Sequence, residues 1–397
     1  MPLPPDIYVS SALSERTMVS PLLASYPPLP INVDRAEGCE IIDKNGKRYI
    51  DLYGGHCVCS MGHNPKGLAA TIAKQMERIT FYSAALELPE RFAAARALIS
   101  LCPPGLDQVF LSNSGAEANE NALKIACNLT ERTCVVAIEG AFHGRTAAVD
   151  CLCGDAKRKH HFPRTPFDVR WVPFGDAAAM HNALAVGDVA AVILEPIQSM
   201  AGCRVHPPEV ISAINETAGE SGTIVIADEV QGGVGRTNRN WSFEVLGLQP
   251  DIVTCAKGIG AGFPTAATIV RSDLGDVASS LLGSTFGGGP LACRAITWVV
   301  TQLAKPELRA SIRHCSTVFD QIADIEGVVK LHGIGLLRGI EIAKDTRKIR
   351  QQLLQEGFIV GGSSNPNVMR LMPPLTLPAT MAERFNETLA ELLSQEV

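Results

Sequence analysis

The chain has 397 residues, enough for one large domain with a smaller second domain, or for two domains of comparable size. Its 35 lysines and arginines are outnumbered by 41 aspartates and glutamates, so there is no basic surplus to neutralise a phosphate backbone and we expect no nucleic-acid partner. The longest apolar runs, such as Val189 to Leu194 and Thr223 to Ala227, fall well short of the roughly 20 residues that a membrane helix needs, so we expect no membrane association.

The N-terminus and the cysteines bear on location and metal binding. Residues 1–6 lack the basic start and continuous apolar core of a secretory signal, so we expect a cytoplasmic protein. Twelve cysteines are scattered through strand-like and helix-like segments, which is typical of reduced, buried thiols. The pairs Cys57/Cys59 and Cys151/Cys153 are separated by one residue and have no second ligand pair, so we expect no metal site.

The first predicted elements are a hairpin and two helices. The alternating segments Cys39 to Asp43 and Lys47 to Tyr53 flank Asn45-Gly46, a strong hairpin-turn signal. Asn64-Pro65 has the pattern of a helix cap followed by a proline in the first turn, which predicts a helix to about Arg78. Its predicted apolar face carries Leu68, Ile72 and Met76, and a second helix is expected from Pro89 to about Leu101.

Short apolar runs alternate with glycine turns and helical patterns from Asp107 to Arg271. Several runs are apolar at nearly every position, which is typical of strands covered on both faces in a largely parallel sheet. The seven predicted strands are Val109 to Ser112, Cys134 to Glu139, Val169 to Val172, Val189 to Glu195, Thr223 to Asp228, Ile252 to Ala256 and Ala266 to Val270. In such α/β folds, ligands bind beyond the carboxyl ends of the strands.

The chain becomes rich in helical patterns after about residue 290. Predicted helices and strands there are Leu291 to Ala304, Pro306 to Ile325, Gly339 to Ile342, Thr346 to Glu356, Phe358 to Val360 and Pro378 to Ser394. We therefore predict a large domain over 55–289 and a smaller α+β domain formed by 290–397 together with the N-terminal segment 1–54.

Two segments at predicted strand ends have chemistry suited to a charged, planar ligand. Ser114-Gly115-Ala116 opens a helix, so its free N–H groups can bind phosphate, although a capped helix without a ligand gives the same pattern. Phe142 can stack on a planar ring and Arg145 can bind a carboxylate, but a core Phe and a surface Arg are the simpler interpretation of that segment alone.

Asp228 and Lys257 are the two strongest candidates for catalysis. Asp228 ends an apolar strand, where a buried charge needs a cationic partner such as a pyridinium nitrogen, or an arginine or turn that it stabilises. Lys257 follows the next apolar strand and precedes Gly258, Gly260 and Gly262. Apolar neighbours would favour its neutral amine, a nucleophile able to form a Schiff base with an aldehyde, although a lysine after a strand is more often a solvated surface charge.

Taken in chain order, these groups are those needed to hold pyridoxal phosphate. The sequence resembles the class III pyridoxal-phosphate aminotransferases of fold type I, in the style of the acetylornithine and ornithine aminotransferases. The resemblance extends from the pattern Asp43-x-x-Gly46-x-x-Tyr49-Ile-Asp51 to Arg370-x-x-Pro373-Pro374-Leu375. It implies an α/β fold whose mostly parallel seven-stranded sheet is sandwiched by helices.

The resemblance also implies a role for individual residues. Lys257 would form the Schiff base and move a proton, Asp228 would pair with the ring nitrogen, and Gln231 would lie near the ring hydroxyl. The remaining assignments are phosphate binding by Ser114, Gly115 and Ala116, ring stacking by Phe142, and substrate binding by Arg145, Glu195, Ser284 and Arg370. Thr285 matches a threonine that reaches the neighbouring subunit's phosphate site, which implies a homodimer with shared active sites.

The chain departs from the family pattern at three places. Ala116 stands where threonine is common, Gly289 replaces an asparagine, and Ser199-Met200 follows Gln198 where ornithine-type enzymes have Gly-Glu. That glutamate can hold the arginine matching Arg370 until an α-carboxylate arrives, and Met200 has no charge with which to do so. We therefore expect Arg370 to be available to a substrate carboxylate in both half-reactions, unless Glu195 or another acid replaces the missing partner.

The resemblance implies a transaminase that moves a terminal amine from a basic or acylated amino acid to a 2-oxo acid such as 2-oxoglutarate. An aminomutase or racemase on the same fold is the alternative, because it would also need Lys257 and Asp228 but would return the amine to the same molecule. An inactive binding homologue is disfavoured by the presence of both residues.

Overall fold

The computed structural model describes residue 23 and residues 28–157 and 161–395. Its largest element is a seven-stranded sheet. In spatial order, the strands are Leu106–Ser112, Ala266–Arg271, Ile252–Cys255, Ile224–Asp228, Val189–Leu194, Cys134–Ile138 and Asp168–Val172. All seven predicted strands are present, with ends that differ from the prediction by three residues or fewer.

The sheet is mostly parallel, as predicted. Ala266–Arg271 runs antiparallel to both of its neighbours, and the other strand pairs are parallel. Every residue of Val189–Leu194 and of Ile224–Asp228 is buried. Burial on both faces explains why these strands are apolar at nearly every position rather than at alternate ones.

Two hydrophobic clusters cover the two faces of this sheet. Alternate residues of one strand belong to different clusters, with Val192 in one and Ile193 in the other. Helix Gly115–Thr130 contributes Leu123 to the cluster that contains Ile193, and helix Pro208–Ser221 packs on the opposite face. The sheet therefore lies between helical layers, which confirms the predicted α/β sandwich.

Other elements surround this layer. The further helices are Leu68–Met76, Pro89–Ile99, Ala147–Asp150, Ala177–Ala185, Ser242–Leu246, Pro290–Leu303, Pro306–Asp320, Arg347–Gln355 and Ala379–Ser394, with 3-10 turns at Lys257–Gly260, Ser272–Leu274 and Gln321–Asp324. Gly54–Cys57 forms a short helical turn with left-handed backbone angles. The smaller strands are Val33–Glu37, Glu40–Asp43, Arg48–Asp51, Ile197–Gln198, Arg204–Val205, Val328–Ile334, Leu337–Ile342, Phe358–Ile359, Gly361–Gly362 and Val368–Leu371.

The N-terminal hairpin lies against the C-terminal part of the chain. Glu40–Asp43 and Arg48–Asp51 pair across the predicted Asn45-Gly46 turn, and Phe358–Ile359 adds a parallel strand beside Arg48–Asp51. Helix Pro290–Leu303, however, packs on helices Leu68–Met76 and Pro89–Ile99. The assignment of residues 1–54 to the small domain and the domain boundaries stay predictions, and residues 1–22 and 24–27 lie outside the described part of the chain.

The predicted start of the first helix is wrong. The helix begins at Leu68, with Gly67 at its cap, and Asn64 has a left-handed φ of 48°. The reason is a backbone pairing between His63 and Gly38, which holds the preceding segment out of the helix.

The predicted apolar face of that helix is only partly correct. Met76 is 52% exposed, whereas Gln75 is buried and accepts a hydrogen bond from Arg294 Nε at 3.0 Å. Packing against helix Pro290–Leu303 selects a face rotated by one residue from the predicted one.

Two features are absent from the described residues, a membrane-spanning helix and a cluster of metal ligands. None of the described helices has the length and apolar character needed to cross a bilayer. Within residues 28–157 and 161–395, no group of three or more His, Cys, Asp or Glu side chains is arranged to hold a metal ion.

Candidate active site

Asp228 lies at the carboxyl end of the central strand Ile224–Asp228 and is 3% exposed. Its Oδ2 accepts a hydrogen bond from Asn119 Nδ2 at 2.7 Å and lies 2.8 Å from His143 Nδ1. Its Oδ1 accepts from the backbone N–H of Val230 at 3.0 Å. A buried carboxylate is stable only with such donors, so this network fixes both the position and the orientation of the group.

Asn119 and His143 were not predicted, and both belong to this network. Asn119 Nδ2 also donates to the carbonyl of His143 at 2.8 Å, and Thr254 Oγ1 donates to Asn119 Oδ1. The sequence does contain a signal for Asn119, because helical periodicity places it on the same face as Ala122 and Ala126, which are buried. His143 follows Phe142 directly, and nothing in its local sequence indicates a contact with residue 228.

Lys257 follows the neighbouring strand Ile252–Cys255, as predicted, and begins the 3-10 turn Lys257–Gly260. Its backbone has a left-handed φ of 46°, an unusual conformation for a residue with a side chain. Ser60 Oγ donates to the carbonyl of Gly258 at 2.6 Å and secures the turn. Burial lowers the pKa of Lys257, with Arg370 acting in the same direction, while Cys57, Asp228 and Glu195 oppose the shift. A larger fraction of the Lys257 side chain is therefore in the neutral amine form than for a solvated lysine.

The N-terminus of helix Gly115–Thr130 faces the same region. Ser114 caps the helix, accepting from the backbone N–H of Glu117 at 3.3 Å and donating to Glu117 Oε2 at 3.1 Å. A side chain on Gly115 would meet Val230 at 2.9 Å, so only glycine allows the helix to come this close to the segment after Asp228.

Glu195 and Phe142 are linked across neighbouring strand ends. Glu195 accepts from the backbone N–H of Phe142 at 2.9 Å and from that of Ser199 at 3.2 Å. Burial, reinforced by the nearby Asp228 carboxylate, raises the pKa of Glu195 to about 7. Its hydrogen bonds hold the Phe142 backbone at the cavity wall.

A cavity of about 330 Å³ unites most of the predicted site residues. Eight of them line it, namely Ser114, Gly115, Ala116, Phe142, Glu195, Asp228, Gln231 and Lys257. Arg145, Ser284, Thr285 and Arg370 are not part of its lining.

Arg370 lies in strand Val368–Leu371 and is only 1% exposed. Its guanidinium donates to the Gly362 carbonyl at 2.6 Å, to Ser199 Oγ at 3.0 Å and to the Tyr53 hydroxyl at 3.1 Å. These three acceptors are neutral, and no carboxylate of the described residues forms an ion pair with Arg370. Tyr53 and Ser199 were not predicted to touch it.

The remaining predicted residues lie nearer the surface. Arg145 is exposed, with its guanidinium carbon 5.5 Å from the centre of the Phe142 ring. Ser284 Oγ accepts from Asn113 Nδ2 at 3.2 Å, beside the capped helix. Thr285 and Phe286 are exposed.

The polar groups of the cavity fit pyridoxal phosphate. Gln231 Oε1, Thr265 Oγ1 and His143 Nε2 are buried and have no hydrogen-bond partner among the described residues, and all three residues line the cavity. A helix N-terminus for an anion, a buried carboxylate and a lysine with a lowered pKa lie around the same space.

Comparison with known proteins identifies the family. The sequence model of class III aminotransferases matches residues 23–393. The chain belongs to the class III aminotransferase family. It is 36% identical to an acetylornithine aminotransferase of Methanopyrus kandleri over 374 residues, covering 93% of this chain and 96% of the relative. The acetylornithine aminotransferase of Brucella melitensis is 34% identical over 398 residues, with coverages of 96% and 98%.

Solved structures agree with this family. The ornithine aminotransferase of Toxoplasma gondii has a TM-score of 0.86 and 26% identity, with 94% of this chain and 92% of that chain covered. Another structure of a Toxoplasma gondii ornithine aminotransferase, with a TM-score of 0.87, 27% identity and coverages of 95% and 93%, has pyridoxal phosphate at partial occupancy in its active site. The chain is a transaminase of fold type I, and its cofactor is pyridoxal phosphate.

Replacing Asp228 by alanine tests the buried carboxylate of this transaminase. We expect Asp228→Ala to lower kcat by about 10²–10³, because about 3–4 kcal/mol of charge stabilisation is lost. Steady-state turnover measures the effect. The exposed Asp273→Ala variant serves as control and should retain full activity. A loss below about threefold would show that another group performs this role.

Glu195 should make stability depend on pH. Its pKa is raised from 4.5 to about 7, so ionisation opposes folding. Relative to Glu195→Gln, the cofactor-free wild type should lose up to about 3 kcal/mol of unfolding free energy as pH rises from about 4.5 to about 7. Urea titrations of both proteins across this range measure the difference. Glu229, whose pKa is also raised to about 7, is present in both proteins and cancels in the comparison. Parallel pH curves for the two proteins would contradict the expectation.

Proposed function

We propose that this transaminase moves the terminal amine of a carboxylate-bearing basic or acylated amino acid to a 2-oxo acid such as 2-oxoglutarate. The observation that carries the proposal is Arg370, a buried guanidinium whose partners among the described residues are neutral oxygens. An anion would stabilise a cation buried in this way, and a substrate carboxylate would supply that anion. The relatives named acetylornithine aminotransferase support the same substrate class.

The cavity residues would hold the cofactor as follows. The N–H groups that open helix Gly115–Thr130, with Ser114 and Ala116, would bind the phosphate. Phe142 would stack on the ring. Asp228 would pair with the ring nitrogen and Gln231 Oε1 with the ring hydroxyl. Asn119 and His143 hold the Asp228 carboxylate in a fixed position. Asp228 would therefore stabilise the ring nitrogen without a change in its own position.

Lys257 would act first as a nucleophile and then as a proton carrier. Pyridoxal phosphate, when bound, supplies an aldehyde that joins amines and a ring that withdraws electrons. The lowered pKa of Lys257 favours its neutral amine. The Lys257 amine would accept the proton from the amine-bearing substrate carbon and, as an ammonium, would donate the same proton to the cofactor. Arg370 and Arg145 would orient the substrate through its carboxylates, beside Glu195 and Ser284.

We further propose a homodimer with shared active sites, located in the cytoplasm. Thr285 and Phe286 are exposed, and Phe81 packs against Phe286 at a ring distance of 5.2 Å, with Tyr82 also exposed. Such a cluster of surface aromatics is suited to a subunit interface. Thr285 would reach the partner's phosphate site. Sedimentation equilibrium and cell fractionation test these two statements.

Replacing Lys257 by alanine should abolish transamination while the protein still binds pyridoxal phosphate noncovalently and still dimerises. The reason is that the phosphate, ring and ring-nitrogen contacts come from other segments. Reduction with borohydride followed by mass spectrometry measures covalent attachment, with the wild type as control. An adduct that persists in Lys257→Ala would show that another amine holds the cofactor.

A panel of amino donors tests the substrate class. Donors that carry a carboxylate, such as ornithine or acetylornithine, should exceed their decarboxylated amines by about 10-fold or more in kcat/KM, because a plain diamine leaves Arg370 unpaired. Rates are measured against 2-oxoglutarate.

Two outcomes of the panel would contradict the proposal. Equal rates for putrescine-like diamines and the matching amino acids would show that Arg370 does not select the donor. Product formed without any 2-oxo acid would identify an aminomutase or racemase instead.

A further inference from the structure

The turn Gly54–Cys57 brings a histidine close to the buried Arg370. Four consecutive residues of this turn have φ between 57° and 68°, and the turn includes His56, which has a side chain. Asp51 anchors it, because its Oδ1 accepts from the backbone N–H groups of Tyr53 at 3.0 Å and Gly54 at 2.8 Å. A side-chain-bearing residue kept in an unfavourable backbone conformation is a common feature of functional sites.

Tyr53 connects His56 to Arg370. Arg370 Nη2 donates to the Tyr53 hydroxyl at 3.1 Å, and the same hydroxyl lies 2.9 Å from His56 Nδ1. The two rings are 4.7 Å apart. Because a guanidinium can only donate, the phenol oxygen accepts from Arg370 and its hydrogen is available to His56. The three side chains thus form one hydrogen-bonded series.

The strand Gly361–Gly362 fixes the middle of this series. A side chain on Gly361 would come within 2.0 Å of the Tyr53 ring, so the ring lies directly against the strand. The Gly362 carbonyl accepts from Arg370 Nε at 2.6 Å. Tyr53 and Arg370 are therefore held by adjacent residues of one strand.

His56 lies in a field of positive charge. His56 is exposed, but partial desolvation lowers its pKa, and the charges of Lys257, Arg370 and Arg145 lower the pKa further, while Asp51 opposes them. A substrate carboxylate bound to Arg370 would offset one of these charges. A substrate without a carboxylate would leave the field unchanged, and an ammonium group would strengthen it.

We propose that His56 takes up a proton from solvent at Nδ1 when a carboxylate binds to Arg370. The Tyr53 O–H then turns from Nδ1 to the carboxylate, the Tyr53 oxygen accepts from the new Nδ1–H, and the imidazolium stabilises the carboxylate. The proton returns to solvent when the carboxylate leaves. This inference deepens the proposed function and rests on it for the identity of the substrate. His56 would then distinguish carboxylate substrates from plain amines, with Tyr53 as the residue that positions it.

Equilibrium binding of glutarate, an unreactive dicarboxylate, tests this proposal on the holoenzyme. Titration calorimetry in buffers of different ionisation enthalpy counts the protons taken up per site. In the wild type we expect net uptake, and a glutarate affinity that weakens by about three- to tenfold per unit rise in pH between 6 and 8.

Three variants distinguish the effect of losing the His56 imidazole from the effect of disturbing the fold. His56→Asn keeps a polar donor and tolerates the left-handed turn, but it cannot titrate. His56→Gly suits the turn and removes the ring. Tyr53→Phe keeps the packing against Gly361 and removes the hydroxyl. We expect both His56 variants to take up fewer protons per glutarate bound than the wild type. At pH 6, His56→Gly should bind glutarate about tenfold more weakly than the wild type. Tyr53→Phe should take up fewer protons on glutarate binding than the wild type.

The outcomes separate this proposal from the proposed function. Equal proton uptake in the wild type and His56→Asn, or no uptake in the wild type, would overturn the role of His56, whatever the transaminase assay shows. Uptake that depends on His56 in a protein that fails to transaminate carboxylate-bearing donors would instead support the histidine and refute the substrate assignment.

Discussion

A buried carboxylate is the constraint on which the site depends. Asp228 ends a strand whose five residues are all buried, so its charge must be stabilised by protein donors. Those donors come from helix Gly115–Thr130 through Asn119 and from the strand-end loop through His143. The helix whose N-terminus faces the cavity is therefore tied to the strand that carries the carboxylate, and the spacing between the two is set by one hydrogen-bond network.

The sheet and the main reacting groups could be predicted because they depend on local sequence. A strand covered on both faces is continuously apolar, and the polar residue after it marks the edge where ligands bind, as at Asp228 and Lys257. The partners of those groups could not be predicted, since Asn119 and His143 lie 109 and 85 residues from Asp228 in the chain. The wrong helix start at Asn64 has the same origin, because the pairing of His63 with Gly38 overrides a local capping pattern.

Arg370 is held in place without an ion pair to any carboxylate of the described residues. A glutamate beside an arginine would compete with a substrate carboxylate for the same guanidinium. Ser199 Oγ accepts from Arg370 at 3.0 Å and lies 3.6 Å from the Met372 sulfur, to which it can donate. The guanidinium is thus oriented by neutral oxygens that accept one N–H from each of its three nitrogens but leave its charge uncompensated. Orientation and charge neutralisation, which one carboxylate would supply together, are separated in this protein.

A chain of hydrogen bonds connects the wall of the cofactor cavity to Arg370. Glu195 accepts from the backbone of Phe142 on one side and from that of Ser199 on the other, and Ser199 in turn accepts from Arg370. A shift of any member would move the cavity wall at Phe142 and the guanidinium together. Because Glu195 is buried and its pKa lies at about 7, its protonation state alters the strength of both backbone hydrogen bonds near neutral pH. The alignment of a bound substrate between the ring pocket and Arg370 would therefore depend on Glu195, which holds the backbone beside both.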